Sequence, residues 1–200
     1  MNIKRKGEYE IIDLISQKII DVETEKPMIN ELLCRPKNMS VAEYFSVNDT
    51  IELWHREEII FQKATKFESE VPINVNITIS SLPFFMNMNY SWNGGIELVE
   101  WSQDSEYVQD IREYIHQLKK RDFKVWLDDL TEDTWEAWRN IDVTGFKVRY
   151  KDIQNNLAFL NELKKCNKPI IVEQIEKLSE KENVQRLGLQ LVQGFLFDRF

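Results

Sequence analysis

Short apolar runs, several alternating with polar residues, recur along this chain, and most are separated by stretches with three- and four-residue apolar spacing. The first kind predicts strands at 16–22 (SQKIIDV), 27–35 (PMINELLCR), 72–80 (PINVNITIS), 95–101 (GIELVEW), 123–129 (FKVWLDD), 145–150 (GFKVRY), 168–174 (KPIIVEQ) and 189–195 (LQLVQGF). The second kind predicts helices. In 104–121, Tyr107, Ile111, Ile115 and Leu118 form one apolar stripe, and in 152–165 Ile153, Leu157, Leu160 and Leu163 form another. Residues 41–68 read as mostly helical through Ala42, Phe45, Ile51, Trp54, Ile59 and Ala64, and Ser179 with Glu182 reads as a capping box opening a helix over 179–187.

A strand followed by a helix, repeated from about residue 72 onward, is the pattern of parallel βα units. The number of strands favours a (β/α) barrel over an open sheet. No GxGxxG or phosphate-loop sequence supports a nucleotide-binding open sheet.

Alternation assigns each strand a face. With Val75 and Ile77 outward, Asn76 points into the barrel, and the same phase turns Glu97, Asp128, Lys147 and Glu173 inward. Glu31 shares a face with Ile29 and Leu33, and Gln193 with Leu191. Barrel enzymes carry their chemistry at the carboxyl ends of the strands, so these polar residues converge where a site is expected.

The composition is that of a globular chain: 200 residues, 42% hydrophobic and 30% charged, enough for a single domain spanning 1–200 with a sizeable core. A net charge of −8 argues against binding duplex nucleic acid, which needs a basic face. There is no apolar run of roughly 18 residues, so no membrane span is expected. The basic MNIKRKGEYE start lacks an apolar signal-peptide segment, and Cys34 and Cys166 are too few for a disulfide framework, which suggests the cytoplasm.

Glu31, Asn76, Glu97 and Asp128 form an all-oxygen set of the kind that suits magnesium or manganese, and Asp129 and Glu173 are placed to help hold a second ion. Lys147 would orient or deprotonate water or neutralise charge, and Arg35 would grip a phosphate through its forked donors. The opposing reading is a structural network in which Lys147, Arg35 and Arg149 pair with the carboxylates. Residue types alone leave both readings open. His55 and His116 have no partner at metal-ligand spacing and read as ordinary surface or boundary residues, while Trp126, Trp135 and Trp138 read as core and rim packing.

Taken in order, SQKIIDV with Gln17, NELLCR with Glu31 and Arg35, NVNIT with Asn76, ELVE with Glu97 and Glu100, WLDD with Asp128 and Asp129, FKVR with Lys147, VEQIE with Glu173 and VQGF with Gln193 give the chain a recognisable succession of motifs. In this it resembles the EAL domain family, metal-dependent phosphodiesterases that linearise cyclic di-GMP, over nearly its whole length. The resemblance implies a TIM-like (β/α)8 barrel of EAL type, here shortened, with one antiparallel strand near the N-terminus. It implies metal ligands at Glu31, Asn76, Glu97, Asp128, Asp129 and Glu173, and catalytic roles for Lys147 and Glu31. Cyclic di-GMP contacts would come from Gln17, Arg35 and Gln193, the cofactor would be magnesium or manganese, and a homodimer or a regulatory protein partner would fit the family.

Two departures bear on function. The family's glycine-bearing DFGTG loop is DLTED here, which loses the backbone freedom of both glycines. The family's KID is Lys147-Val148-Arg149, which sets a second cation beside the second-metal region. A unit charge about 4 Å from another is worth roughly 4 kcal/mol at an effective dielectric of 20, enough to empty that site unless Arg149 swings to Glu132 or Asp133. The expected function is therefore that of a degenerate member with weak or absent hydrolysis, regulating through nucleotide binding or a protein partner. An active phosphodiesterase giving linear pGpG is the alternative. A pure interaction module would instead expose an apolar patch around Trp135, Trp138 and the FLFDRF tail.

Overall fold

The computed structural model describes residues 12–99 and 105–198. The basic N-terminal cluster, Glu100, Trp101 and the last two residues of FDRF lie outside the described residues, as does the side chain of Tyr107.

Two long strands, β1 (Ile12–Asp21) and β2 (Pro27–Pro36), form an antiparallel pair with Gln17 opposite Glu31. Helices α1 (Val41–Phe45) and α2 (Thr50–Ala64) lead to β3 (Ile73–Thr78). A short 3-10 turn and α3 (Leu82–Met86) then precede β4 (Gly94–Val99). Next come α4 (Ser105–Lys120), β5 (Lys124–Leu127), α5 (Glu132–Trp138) and β6 (Gly145–Arg149). The chain continues through α6 (Tyr150–Gln154), α7 (Leu157–Lys165), β7 (Ile170–Glu173), α8 (Leu178–Arg186) and β8 (Leu191–Gln193). The strands close into a barrel in the order β1 to β8. β1 runs antiparallel to both β2 and β8, and the remaining neighbours are parallel.

The alternation read from the sequence sets the faces. Val75, Ile77, Ile96, Leu98, Val125, Leu127, Phe146, Val148, Ile170 and Val172 are buried in the cluster between barrel and helices. A separate cluster of Ile19, Trp126 and Ile171, with Ile29 and Leu191 against it, fills the barrel itself. Trp126 fits because Gly145 stands beside it: a Cβ on Gly145 would lie 2.4 Å from the indole ring and 2.5 Å from the Pro169 carbonyl oxygen. The large side chain and its missing neighbour are one packing unit.

Several element boundaries differ from expectation. Segment 41–68 breaks at 46–49, where the Asp49 carboxylate accepts from the amides of Ile51 and Glu52 and starts α2 afresh. Segment 152–165 breaks because Asn156 caps a new helix by accepting from Phe159 N–H; Phe159 is buried, while the expected stripe residue Leu157 is 55% exposed. The capping box at Ser179 and Glu182 is not used. Helix α8 starts at Leu178, and Glu180 accepts from the amides of Glu176 and Lys177. β1 begins at Ile12 rather than Ser16, since pairing with β2 extends it to Pro36. β3 ends at Thr78 and β8 spans only Leu191–Gln193.

Candidate ligand and metal site at the barrel mouth

Two residues beyond the apolar plug, the inward face of the same strands turns polar. Ile29 gives way to Glu31, Trp126 to Asp128, Ile171 to Glu173 and Leu191 to Gln193. Lys147 rises from β6 into this layer and is 1% exposed. Its ammonium lies 2.5 Å from Glu97 Oε2, 2.9 Å from Glu173 Oε1, and 3.1 Å from both Glu31 Oε2 and Asp128 Oδ1. Asn76 donates to Glu31 Oε1 and Asn74 to Glu97 Oε1, each at 2.8 Å. Gln193 donates to Glu31 Oε2 at 2.5 Å and to Gln17 Oε1 at 2.9 Å.

Four carboxylates around one cation cannot all be ionised cheaply out of water. Burial works against ionisation of Glu31, but the Lys147 charge and the Gln193 and Asn76 donors outweigh it and hold its carboxyl below the ordinary range. Glu97 goes far the other way, raised by complete burial and by Glu31 against the pull of Lys147. Burial likewise raises Asp128, and lifts Glu173 to about 8, although Lys147 opposes both shifts. Burial disfavours the Lys147 ammonium, but the surrounding carboxylates raise its pKa well above the usual lysine value. The cluster balances charge by keeping protons.

Not every expected residue converges. Asp129 follows Asp128 with φ 48°, a left-handed conformation that turns it away; its side chain is 66% exposed and faces Arg149 Nε at 3.6 Å. The same Nε donates to Asp152 Oδ2 at 2.7 Å. Arg149 thus swings to Asp129 and Asp152, not to Glu132 or Asp133. Glu132 instead accepts from Asn156 at 2.5 Å. The DLTED segment gives up its loop character early: Leu130 donates its amide to the Lys147 carbonyl, and Thr131 and Thr134 cap α5. Glu132 and Asp133 then sit in the first turn of α5, where the helix dipole favours negative charge.

Arg35, the last residue but one of β2, is exposed and donates to the Cys34 carbonyl. Trp135 and Trp138 are buried, so the expected patch around them is not exposed. In the tail Phe195 is exposed, while Leu196 and Phe197 pack against the core. Asn74 escaped the sequence reading although the NVN spacing of INVNIT put it on the same face as Asn76. No sequence signal marked Asp198, whose carboxylate accepts from Gln17 Nε2 at 2.6 Å.

Among the described residues, no group of His, Cys, Asp and Glu side chains stands arranged around a metal position, because the carboxylates point at the Lys147 ammonium. The donor set nevertheless suits one hard divalent cation. Its carboxylates outnumber the lysine, and Asn76 Oδ1 and Gln193 Oε1 are buried oxygens without a hydrogen-bond donor. The position for a second ion fits poorly, because Asp129 is engaged by a guanidinium.

A closed barrel with one antiparallel strand is the TIM-like (β/α)8 fold of EAL domain structures. Solved structures share it. An EAL domain protein from Listeria monocytogenes superimposes with a TM-score of 0.72 at 17% identity, covering 98% of this chain and 93% of that one. The FimX EAL domain from Pseudomonas aeruginosa bound to c-di-GMP gives 0.74 at 14% identity, covering 94% and 90%. The manganese/c-di-GMP complex of Klebsiella pneumoniae BlrP1 gives 0.74 at 18% identity, covering 94% and 55%. No family sequence profile matches the chain, and no curated protein matches it by sequence. None of the described helices is long and apolar enough to cross a membrane.

Proposed function

We propose that this chain is an EAL-type protein of cyclic di-GMP signalling that binds the nucleotide at the barrel mouth and hydrolyses it weakly or not at all. Structural neighbours bound to that nucleotide support the ligand class. The observation that carries the reduced activity is Asp129, turned out of the carboxylate cluster and facing Arg149 at 3.6 Å. Glu31, Asn76, Glu97, Asp128 and Glu173 would hold one magnesium or manganese ion. Such an ion would polarise a phosphoryl oxygen and acidify a bound water. Lys147, within 3.1 Å of the Glu31, Glu97, Asp128 and Glu173 carboxylates, would stabilise charge or orient water beside the ion. Arg35 would meet a phosphate at the rim, and Gln17 with Gln193 would meet the nucleotide from β1 and β8. With Asp129 withdrawn, nothing in this set clamps the attacking and leaving oxygens together.

The protein is read as a single cytoplasmic domain acting on a partner or as a homodimer. A working phosphodiesterase is the second reading, favoured by the convergence of Glu31, Glu97, Asp128, Glu173 and Lys147 within one cluster.

Incubating the purified protein with cyclic di-GMP and manganese, and following nucleotide and linear pGpG by chromatography, tests the choice. The expected result is intact nucleotide after long incubation, with saturable binding in a parallel titration. Metal-dependent pGpG that disappears in Glu31→Ala would establish the second reading.

A further inference from the structure

We propose that Asp198 selects the nucleobase: with Gln17 it forms a donor–acceptor edge that takes a 2-amino-6-oxopurine and rejects a 6-aminopurine. This rests on reading the mouth as a cyclic-dinucleotide site. The segment after β8 is tied down by backbone bonds, from Ile175 N to Gln193 O, Leu196 N to Ile175 O and Phe197 N to Gly194 O, each 3.0 Å. These bonds bring the exposed Asp198 carboxylate to 2.6 Å from Gln17 Nε2.

The orientation of the Gln17 amide is fixed by its other end. Gln193 donates to Gln17 Oε1 at 2.9 Å and to Glu31 Oε2 at 2.5 Å, so the Gln17 oxygen faces inward and its NH2 faces Asp198. Beyond Gln17, the Asp198 carboxylate has no hydrogen-bond or ion-pair partner among the described residues. An ionised carboxylate offers about four acceptor positions, and an amide NH2 offers two donors, so each group keeps capacity to spare. Side by side they present one donor followed by acceptors. Guanine's pairing edge is the complement, with an acceptor at O6 and donors at N1–H and the 2-amino group. Adenine offers an unprotonated N1 in the middle of its edge, where the carboxylate would meet a lone pair. A site built to receive N–H donors rejects a ligand that lacks them, because its own polar atoms are left unpaired.

Calorimetric titration of the full chain, in manganese, with cyclic di-GMP and cyclic di-AMP tests this, using wild type, Asp198→Ala and Asp198→Asn. Thermal melts check that the exposed substitutions leave folding intact. The expected result is wild-type preference for the guanine ligand, with tenfold or greater loss of cyclic di-GMP affinity in Asp198→Ala. Cyclic di-AMP binding should be unchanged or improved in Asp198→Ala, and Asp198→Asn should narrow the discrimination. Unchanged cyclic di-GMP affinity in Asp198→Ala would overturn the proposal alone. Tighter binding would also overturn it, making Asp198 a latch over Gln17. Absence of any dinucleotide binding, wild type included, would overturn the underlying reading of the mouth as well.

Discussion

Two layers of the barrel interior, two residues apart on β2, β7 and β8 and at the end of β5, are held together by opposite physics. The lower layer, Ile19, Ile29, Trp126, Ile171 and Leu191, is dry and held by packing. The upper layer, Glu31, Asn76, Glu97, Asp128, Lys147, Glu173 and Gln193, is charged, and most of its groups depend on a single ammonium and on retained protons. Burying an aromatic or aliphatic side chain is worth roughly 1.5–3 kcal/mol wherever it fits. A buried ion cluster returns little net stability and is retained for specificity or chemistry. The lower layer therefore carries the fold and leaves the upper layer free to hold a ligand.

The largest effect should come from removing the central cation. Without metal at pH 8, Lys147→Met should cost about 3–5 kcal/mol in urea denaturation, because it strands the buried Glu31 and Glu97 carboxylates beside the part-buried Asp128 and Glu173. At pH 5 the loss should shrink as the carboxyls keep their protons. An equal loss at both pH values would mean that Lys147 matters through its methylene packing. The dry layer makes the next prediction. Gly145→Ala forces a methyl to 2.4 Å from the Trp126 ring and should cost about 1–3 kcal/mol at any pH. Pairing it with Trp126→Leu should recover part of that loss.

The third effect is smaller and separates the layers by pH. Burial lifts the Glu173 carboxyl from the ordinary 4.5 to about 8 in the folded chain. Its contribution to stability is full below about 4.5 and is lost as pH rises to about 8, because the unfolded chain releases the proton first. Glu97 and Asp128 are raised in the same direction. Glu31 is lowered, so its opposite contribution is present above 4.5 and fails only in more acidic solution. In chelator the urea midpoint should fall steadily from pH 5 to pH 8, and Glu173→Gln should flatten the slope. A midpoint that rises over that range would contradict the charge balance described here.

The division into layers was legible in the sequence because strand alternation is local and barrel closure preserves it. One phase choice at Asn76 placed Glu97, Asp128, Lys147 and Glu173 correctly. Helix ends were less legible. Asn156 and Asp49 interrupt apolar stripes that continue past them, and a periodicity reading does not register a cap inside a stripe. The sequence offers Glu132 and Asp133 of DLTED as partners for Arg149, but a threonine cap places them in the first turn of α5. The direction of Arg149 and the bond from Gln17 to Asp198 depend on contacts between segments distant in sequence or on rotamers, which spacing does not encode.

In the proposed reading the Arg149 guanidinium, facing Asp129, leaves room for one metal ion and not two. Its salt bridges are partly exposed, so Arg149→Asp should change stability by no more than about 1 kcal/mol. Manganese stoichiometry is the direct test, measured by calorimetry and by the loss of free-ion electron paramagnetic resonance signal in both proteins. The account predicts one ion per wild-type chain and two per Arg149→Asp chain. Two ions bound by the wild type would contradict it.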